Sequence, residues 1–239
     1  MNTIVTPVWG ALDPNVRAVW VATGESPEWI AARVDDLLRQ LQSVFDISEW
    51  ELTNGQRWTG PLTALSEIVR SNPVRELVGG SEEIGGPLPS DGYSFVISGA
   101  SSRVAVRVWI AAGHPALGLR LPRRRLNIEF REVEAGALTS RDGDAACQAV
   151  AQSWQPCMLV LSDDPVRQLA PRGNWKIGVG YRTWINAKVG TVVQTAKGLI
   201  ANEMEGGTMI SAPDDWSAEQ VVQAMLSTLE ANGLDEVPH

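Results

Sequence analysis

"YSFVISGASSRVAVRVWIAAG", residues 93–113, decides the fold. Val104, Val106, Val108 and Ile110 alternate with Arg103, Arg107 and Trp109, which is the pattern of a strand that buries one face and wets the other. "YSFVISG" reads as a second strand, and Ala100-Ser101-Ser102 between them has the length of a hairpin turn. A third run, "RLNIEFREVE" (125–134), alternates through Leu126, Ile128 and Phe130. The spacing predicts an antiparallel sheet with one face in the core.

Helices flank this strand-rich middle. In "SPEWIAARVDDLLRQLQSVF" (26–45), Ser26 can cap, Pro27 suits the first turn and Glu28 complements the dipole. Ile30, Val34, Leu37, Leu38, Leu41, Val44 and Phe45 then form one apolar stripe. A second helix is predicted in "GPLTALSEIVRSN" (60–72), after an Asn54-Gly55 turn, and a small-residue helix in "GDAACQAVAQSW" (143–154). "CMLVLSD" reads as an apolar strand, "DDPVRQLA" as a short helix begun by Asp163 or Asp164, and "KIGVGYRTWIN" and "VGTVVQ" as extended. "VGGSEEIGGPLPSDG" (78–92) reads as an exposed loop bearing Glu82 and Glu83. At the end, "GLIANE" and "TMISA" flank Gly206-Gly207 as a hairpin, and a last helix follows, capped by Asp214 or Ser217 and stopped by Gly233. The expectation is one α+β domain over 1–239, a central, largely antiparallel sheet packed by N-terminal and C-terminal helices.

Composition narrows the chemistry. The first residues lack a signal-peptide pattern, and no apolar run approaches the ~18 residues of a membrane span, so a cytoplasmic chain is expected. Cys147 and Cys157 read as reduced, buried thiols; with His114 and His239 the only histidines, no zinc set or cofactor is expected. Phosphate-loop, dinucleotide and nucleophile-elbow motifs are missing from the sequence. The net charge of −8 argues against nucleic-acid binding, and Arg120, Arg123, Arg124 and Arg125 in "LRLPRRRL" read as solvated or charge-paired. From Gly198 to His239 there are eight carboxylates and no Lys or Arg, a surface suited to a basic partner. Glu203 and Glu205 fit a strand end and turn, and Asp214 and Asp215 fit a helix start, so all four have structural roles without catalysis. Ten tryptophans exceed what a core buries cheaply, and exposed ones beside acids would serve as interface anchors.

The two ends carry a family resemblance. "WVATGESPEWIAARVDDLLRQLQSVFDISEW" (20–50), "VGYRTWI" (179–185) and the stretch from "GLIANEMEGG" through the last helix to Gly233-Leu234 resemble the immunity protein 52 family of polymorphic-toxin systems. Only the order of elements supports the match over residues 60–175. The resemblance implies a non-enzymatic cytoplasmic inhibitor of a cognate secreted toxin with a basic nuclease domain, with no catalytic residue to transfer. The contact surface is expected to include Glu203, Glu205, Glu82 and Glu83, with Trp58. Two rival readings remain: an effector-loading adaptor, and a hydrolase that would need Glu203, Glu205, Asp163 or Asp164 to converge in one pocket.

Overall fold

A computed structural model describes residues 6–21, 24–77, 84–117 and 119–239. In chain order the elements are β1 (Asn15–Val19), α1 (Pro27–Phe45), β2 (Glu51–Leu52), α2 (Leu62–Arg70), β3 (Arg75–Leu77), β4 (Ile84–Pro87), β5 (Tyr93–Ala100), β6 (Val104–Ala112), β7 (Arg125–Glu132), α3 (Ser140–Trp154), β8 (Met158–Ser162), α4 (Asp164–Leu169), β9 (Arg182–Asn186), β10 (Ile200–Met204), β11 (Gly207–Ser211) and α5 (Ala218–Ala231). Nine strands form one sheet in the order β10-β11-β9-β8-β1-β7-β6-β5-β2, while β3 and β4 make a separate two-stranded ribbon. Every pairing in the large sheet is antiparallel. This is the expected α+β arrangement.

Alternation sets which face each helix covers. Val16 and Ala18 of β1 share register rows with Ile128 and Leu126 of β7 and with Leu161 and Leu159 of β8, and all are buried. That inner face takes α1, α2 and α3: Phe45 of α1 packs on Phe130 at 5.4 Å, Trp58 and α2 cover Phe95 of β5, and Gly143 of α3 sits against Leu161. Ser26 caps α1 through the Trp29 amide at 3.2 Å, with Pro27 in its first turn. Thr139 begins α3 in a capping box with Asp142, a turn earlier than the sequence reading placed it.

The opposite face is covered over only half its width. At β8, β9 and β11 it carries Val160, Thr183, Ile185 and Ile210, all buried. Gly178 packs its backbone on Val160, and the 175–177 stretch bonds to the C-terminal tail: Ile177 donates to Asp235 O at 2.9 Å, and Val237 donates to Trp175 O at 2.8 Å. With α5, which packs on α4, these segments form the second layer. Beyond β1 the layer stops. The face of β7, β6, β5 and β2 has no further element over it among the described residues.

Two expected extended stretches come out differently. In "KIGVGYRTWIN" only Arg182–Asn186 joins the sheet, because Gly178 and Gly180 sit so close to Val160 and the Leu161 carbonyl that no side chain would fit. "VGTVVQ" is irregular and is held by Asn232, whose Oδ1 accepts from the Val193 amide at 2.8 Å.

Candidate functional site

The residues singled out from sequence fall in three places. Glu203 lies on β10, the outermost strand, opposite Thr208, and Glu205 is in the turn to β11; both are exposed. Glu205 and Gly206 take φ of 50° and 75°, the two left-handed residues of a type I′ hairpin turn. Glu82 and Glu83 lie outside the described residues. Trp58 is a correction: at 7% exposure it stacks on Phe95 with centroids 6.1 Å apart, so it is a core residue rather than part of a surface. Its apolar neighbours on β5 and α2 outcompete solvent for the ring.

The acidic end is partly neutralised at home. Asp214 accepts from Trp9 Nε1 at 2.7 Å and from Arg182 Nη2 at 3.0 Å, and Arg182 also pairs with Asp144 at 2.5 Å. Burial pushes the Asp214 carboxyl up, but the Arg182 hydrogen bond and charge outweigh it and leave it below its ordinary value. The N-cap of α5 is accordingly Ser217, in a capping box with Gln220. Asp235 pairs with Arg172 at 2.8 Å and with Lys176. Glu203, Glu205, Asp215, Glu219 and Glu230 stay exposed.

The carboxylates weighed for hydrolysis do not meet. Asp163 is fully buried at the start of α4, where Oδ1 accepts from the Val166 amide at 2.9 Å. Burial raises its pKa, outweighing the Val166 amide and the nearby Tyr181 hydroxyl. Asp164 points to solvent and pairs with Arg167. Glu203 on β10 and Glu205 in the turn that follows it are exposed, three strands out from β8. His114 uses Nδ1 to accept from the Ala116 amide, and the His239 ring stacks on Trp175 at 4.6 Å. Burial pushes the Cys147 thiol up to about 12. Among the described residues no group of three potential ligands could hold a metal ion, and no helix is long and apolar enough to cross a membrane.

The sheet face left uncovered is the one site that sequence reasoning missed. Its residues follow from the register. One row runs Arg17, Asn127, Trp109, Val96; the next runs Asn15, Glu129, Arg107, Ser98, Glu51. Arg125, Ala111 and Ser94 lie beyond the first row, and Arg131 and Ala105 beyond the second. Trp109 is 43% exposed, and the Arg107 guanidinium stands 5.4 Å from its ring centroid. Arg17 is tied to the carbonyls of Arg172 and Asn174, and burial, then the nearby Arg125 charge, lowers its pKa. Arg107, Arg125 and Arg131 have no carboxylate within 4.0 Å among the described residues. At the far end the face deepens into an open trough of about 1180 Å³, walled by Arg107, Glu129, Arg131, Glu51, Glu49 and Asp13. The signal was present in the alternation: Arg107 and Trp109 occupy the wet side of the best strand.

The basic run between β6 and β7 has a structural part. Arg124 is 2% exposed, donates to the carbonyls of His114 and Ala116, and places Nε 3.6 Å from Glu25 Oε1. Glu25 also accepts from Trp20 Nε1 at 3.0 Å and from the Gly113 amide at 2.8 Å. This charge-paired hub ties the 113–124 loop to the start of α1.

No protein-family model matches the chain, and no curated protein matches it in sequence. The resemblance to the immunity protein 52 family therefore stands on the residues quoted for it. Among solved structures, the chain is similar to the T6SS protein PA0821 of Pseudomonas aeruginosa at 12% identity and a TM-score of 0.45, covering 84% of this chain and 68% of that one. A likeness of that size carries no inference.

Proposed function

We propose that this chain is a non-enzymatic immunity protein that binds a cognate secreted antibacterial toxin in the cytoplasm and neutralises it. The toxin is a nuclease effector, and inhibition is steric and electrostatic occlusion of its active site. The observation that carries this reading is the segregated charge: the stretch from Gly198 on has no Lys or Arg, and Glu203 and Glu205 are exposed on a hairpin at the sheet's edge. A nuclease cleft must be basic to hold phosphates. An acidic hairpin can enter or cover it, and charge steering raises association toward ~10⁸ M⁻¹s⁻¹ at low salt. The resemblance at the two ends of the chain points the same way.

Co-expression with the toxin-like protein encoded beside this gene tests the proposal. Rescue of growth with a stoichiometric complex is expected, and Glu203→Lys with Glu205→Lys should slow association at low salt by tenfold or more. Binding without rescue would identify an effector-loading adaptor instead. The absence of both binding and rescue would overturn the proposal.

A further inference from the structure

We infer that the uncovered face around Trp109 is a second docking surface, and that it takes an acidic surface segment of a partner protein. The inference rests on the reading of this chain as a protein-binding domain. It stands on three features of the face: its openness, its anchor and its charge.

The face is broad enough. Strands β5, β6 and β7 have eight, nine and eight residues. At about 3.3 Å per residue and about 4.8 Å between strands, they span roughly 25 Å by 15 Å with their margins. That is room for an extended segment or one side of a helix.

Trp109 is the anchor. Its neighbours toward β5 are small, Val96 opposite with Ser94 and Ser98 on the diagonals, as is Ala111 along β6, while Asn127 lies opposite on β7. The indole therefore stands above a low floor, with one flat side against Arg107. Trp and Arg are enriched in binding hot spots: the indole buries a large rigid area, and the guanidinium is a planar, weakly hydrated fork of donors.

Charge selects the occupant. On the wet side of β1, β2, β5, β6 and β7 there are four guanidiniums, Arg17, Arg107, Arg125 and Arg131, against two carboxylates, Glu129 and Glu51, while Glu49 and Asp13 line the trough at the end away from Arg125. The whole chain carries −8, so this face runs against the field of the rest. A second copy docked face to face on this surface would bring like charges together. Nucleic acid would be repelled by the net charge and finds one aromatic here rather than a stacking series. An acidic protein segment satisfies both the free guanidiniums and the indole.

The experiment uses the full chain and the neighbour-encoded protein, with association and dissociation followed at low and high salt. The variants are Trp109→Ala and the pair Arg107→Glu with Arg125→Glu, each first shown by circular dichroism and melting to be folded. Trp109→Ala should raise Kd at least tenfold, through faster dissociation. The arginine pair should slow association at least tenfold at low salt, and the difference should shrink at high salt. The sign is decisive: if the segment over this face were basic or the face idle, making the chain more negative would speed association or leave it unchanged. Either result overturns this inference while wild-type binding and rescue leave the proposed function standing. Failure of the wild type to bind overturns both. Trp109-dependent capture of a labelled single-stranded DNA oligonucleotide would overturn the assignment to an acidic protein.

Discussion

Glu25→Ala is the most informative perturbation of the fold. The Glu25 carboxylate is nearly inaccessible, and it serves the Trp20 indole, the Gly113 amide and the buried Arg124 charge together. Truncation leaves two donors unsatisfied and a cation without its counter-charge. Breaking a buried pair from one side costs about 3–5 kcal/mol, against a total stability of about 5–15 kcal/mol. For a chain of this size each kcal/mol moves the melting temperature by roughly 2–4 °C, so a fall of about 6–20 °C is expected. Chemical denaturation followed by tryptophan fluorescence gives the free energy directly. The companion variant, Glu25→Ala with Arg124→Met, removes the stranded charge and should recover part of the loss. A single-variant cost below about 1 kcal/mol, or a double variant no better than the two losses added, would refute the account of the hub.

Two further outcomes follow from the packing. Asp214 is held below its ordinary value by Arg182, so its stabilisation is complete above the usual carboxylate range and is lost as pH falls through the depressed value. Asp214→Asn should therefore melt lower than wild type at pH 7 and lose less on acidification to pH 3; parallel melting curves against pH would refute the pairing. Gly99→Val places a Cβ 2.6 Å from Ile47 Cγ2 and 2.7 Å from Trp50 Cε3, and overpacking of this kind costs about 1–3 kcal/mol. Unchanged denaturation would show that the 47–50 segment yields freely.

Much of this arrangement is legible in the chain where physics is local. The apolar stripe and Ser26-Pro27 start of α1, the β5–β6 hairpin, β7, and the β10–β11 hairpin turn follow from residues a few positions apart. Strand β1 does not. Its five residues, Asn-Val-Arg-Ala-Val, carry Arg17 in the middle, and they become a central strand only through partners in β7 and β8. The Glu25–Arg124 pair is hidden for the same reason, since neither residue announces a partner so far along the chain. Trp58 was misplaced because composition says that some tryptophans must be exposed without saying which. The exposed one, Trp109, was marked by its place in the alternation, and finding it as a site required knowing that no layer covers that face among the described residues.

The position of β1 also sets a timetable. Among the described residues it alone joins the β7-β6-β5-β2 side of the sheet to the β8-β9-β11-β10 side, and each side is otherwise a run of neighbouring antiparallel pairs. During synthesis, Val19 must wait for Met158, its partner across β8. At about 5–20 residues per second that wait is on the order of 10 s. Through it, Val16, Ala18 and Val19 have half of their eventual seat or none. The meander on one side can assemble early, but the molecule becomes one piece only when its earliest strand is enclosed by one of its later ones.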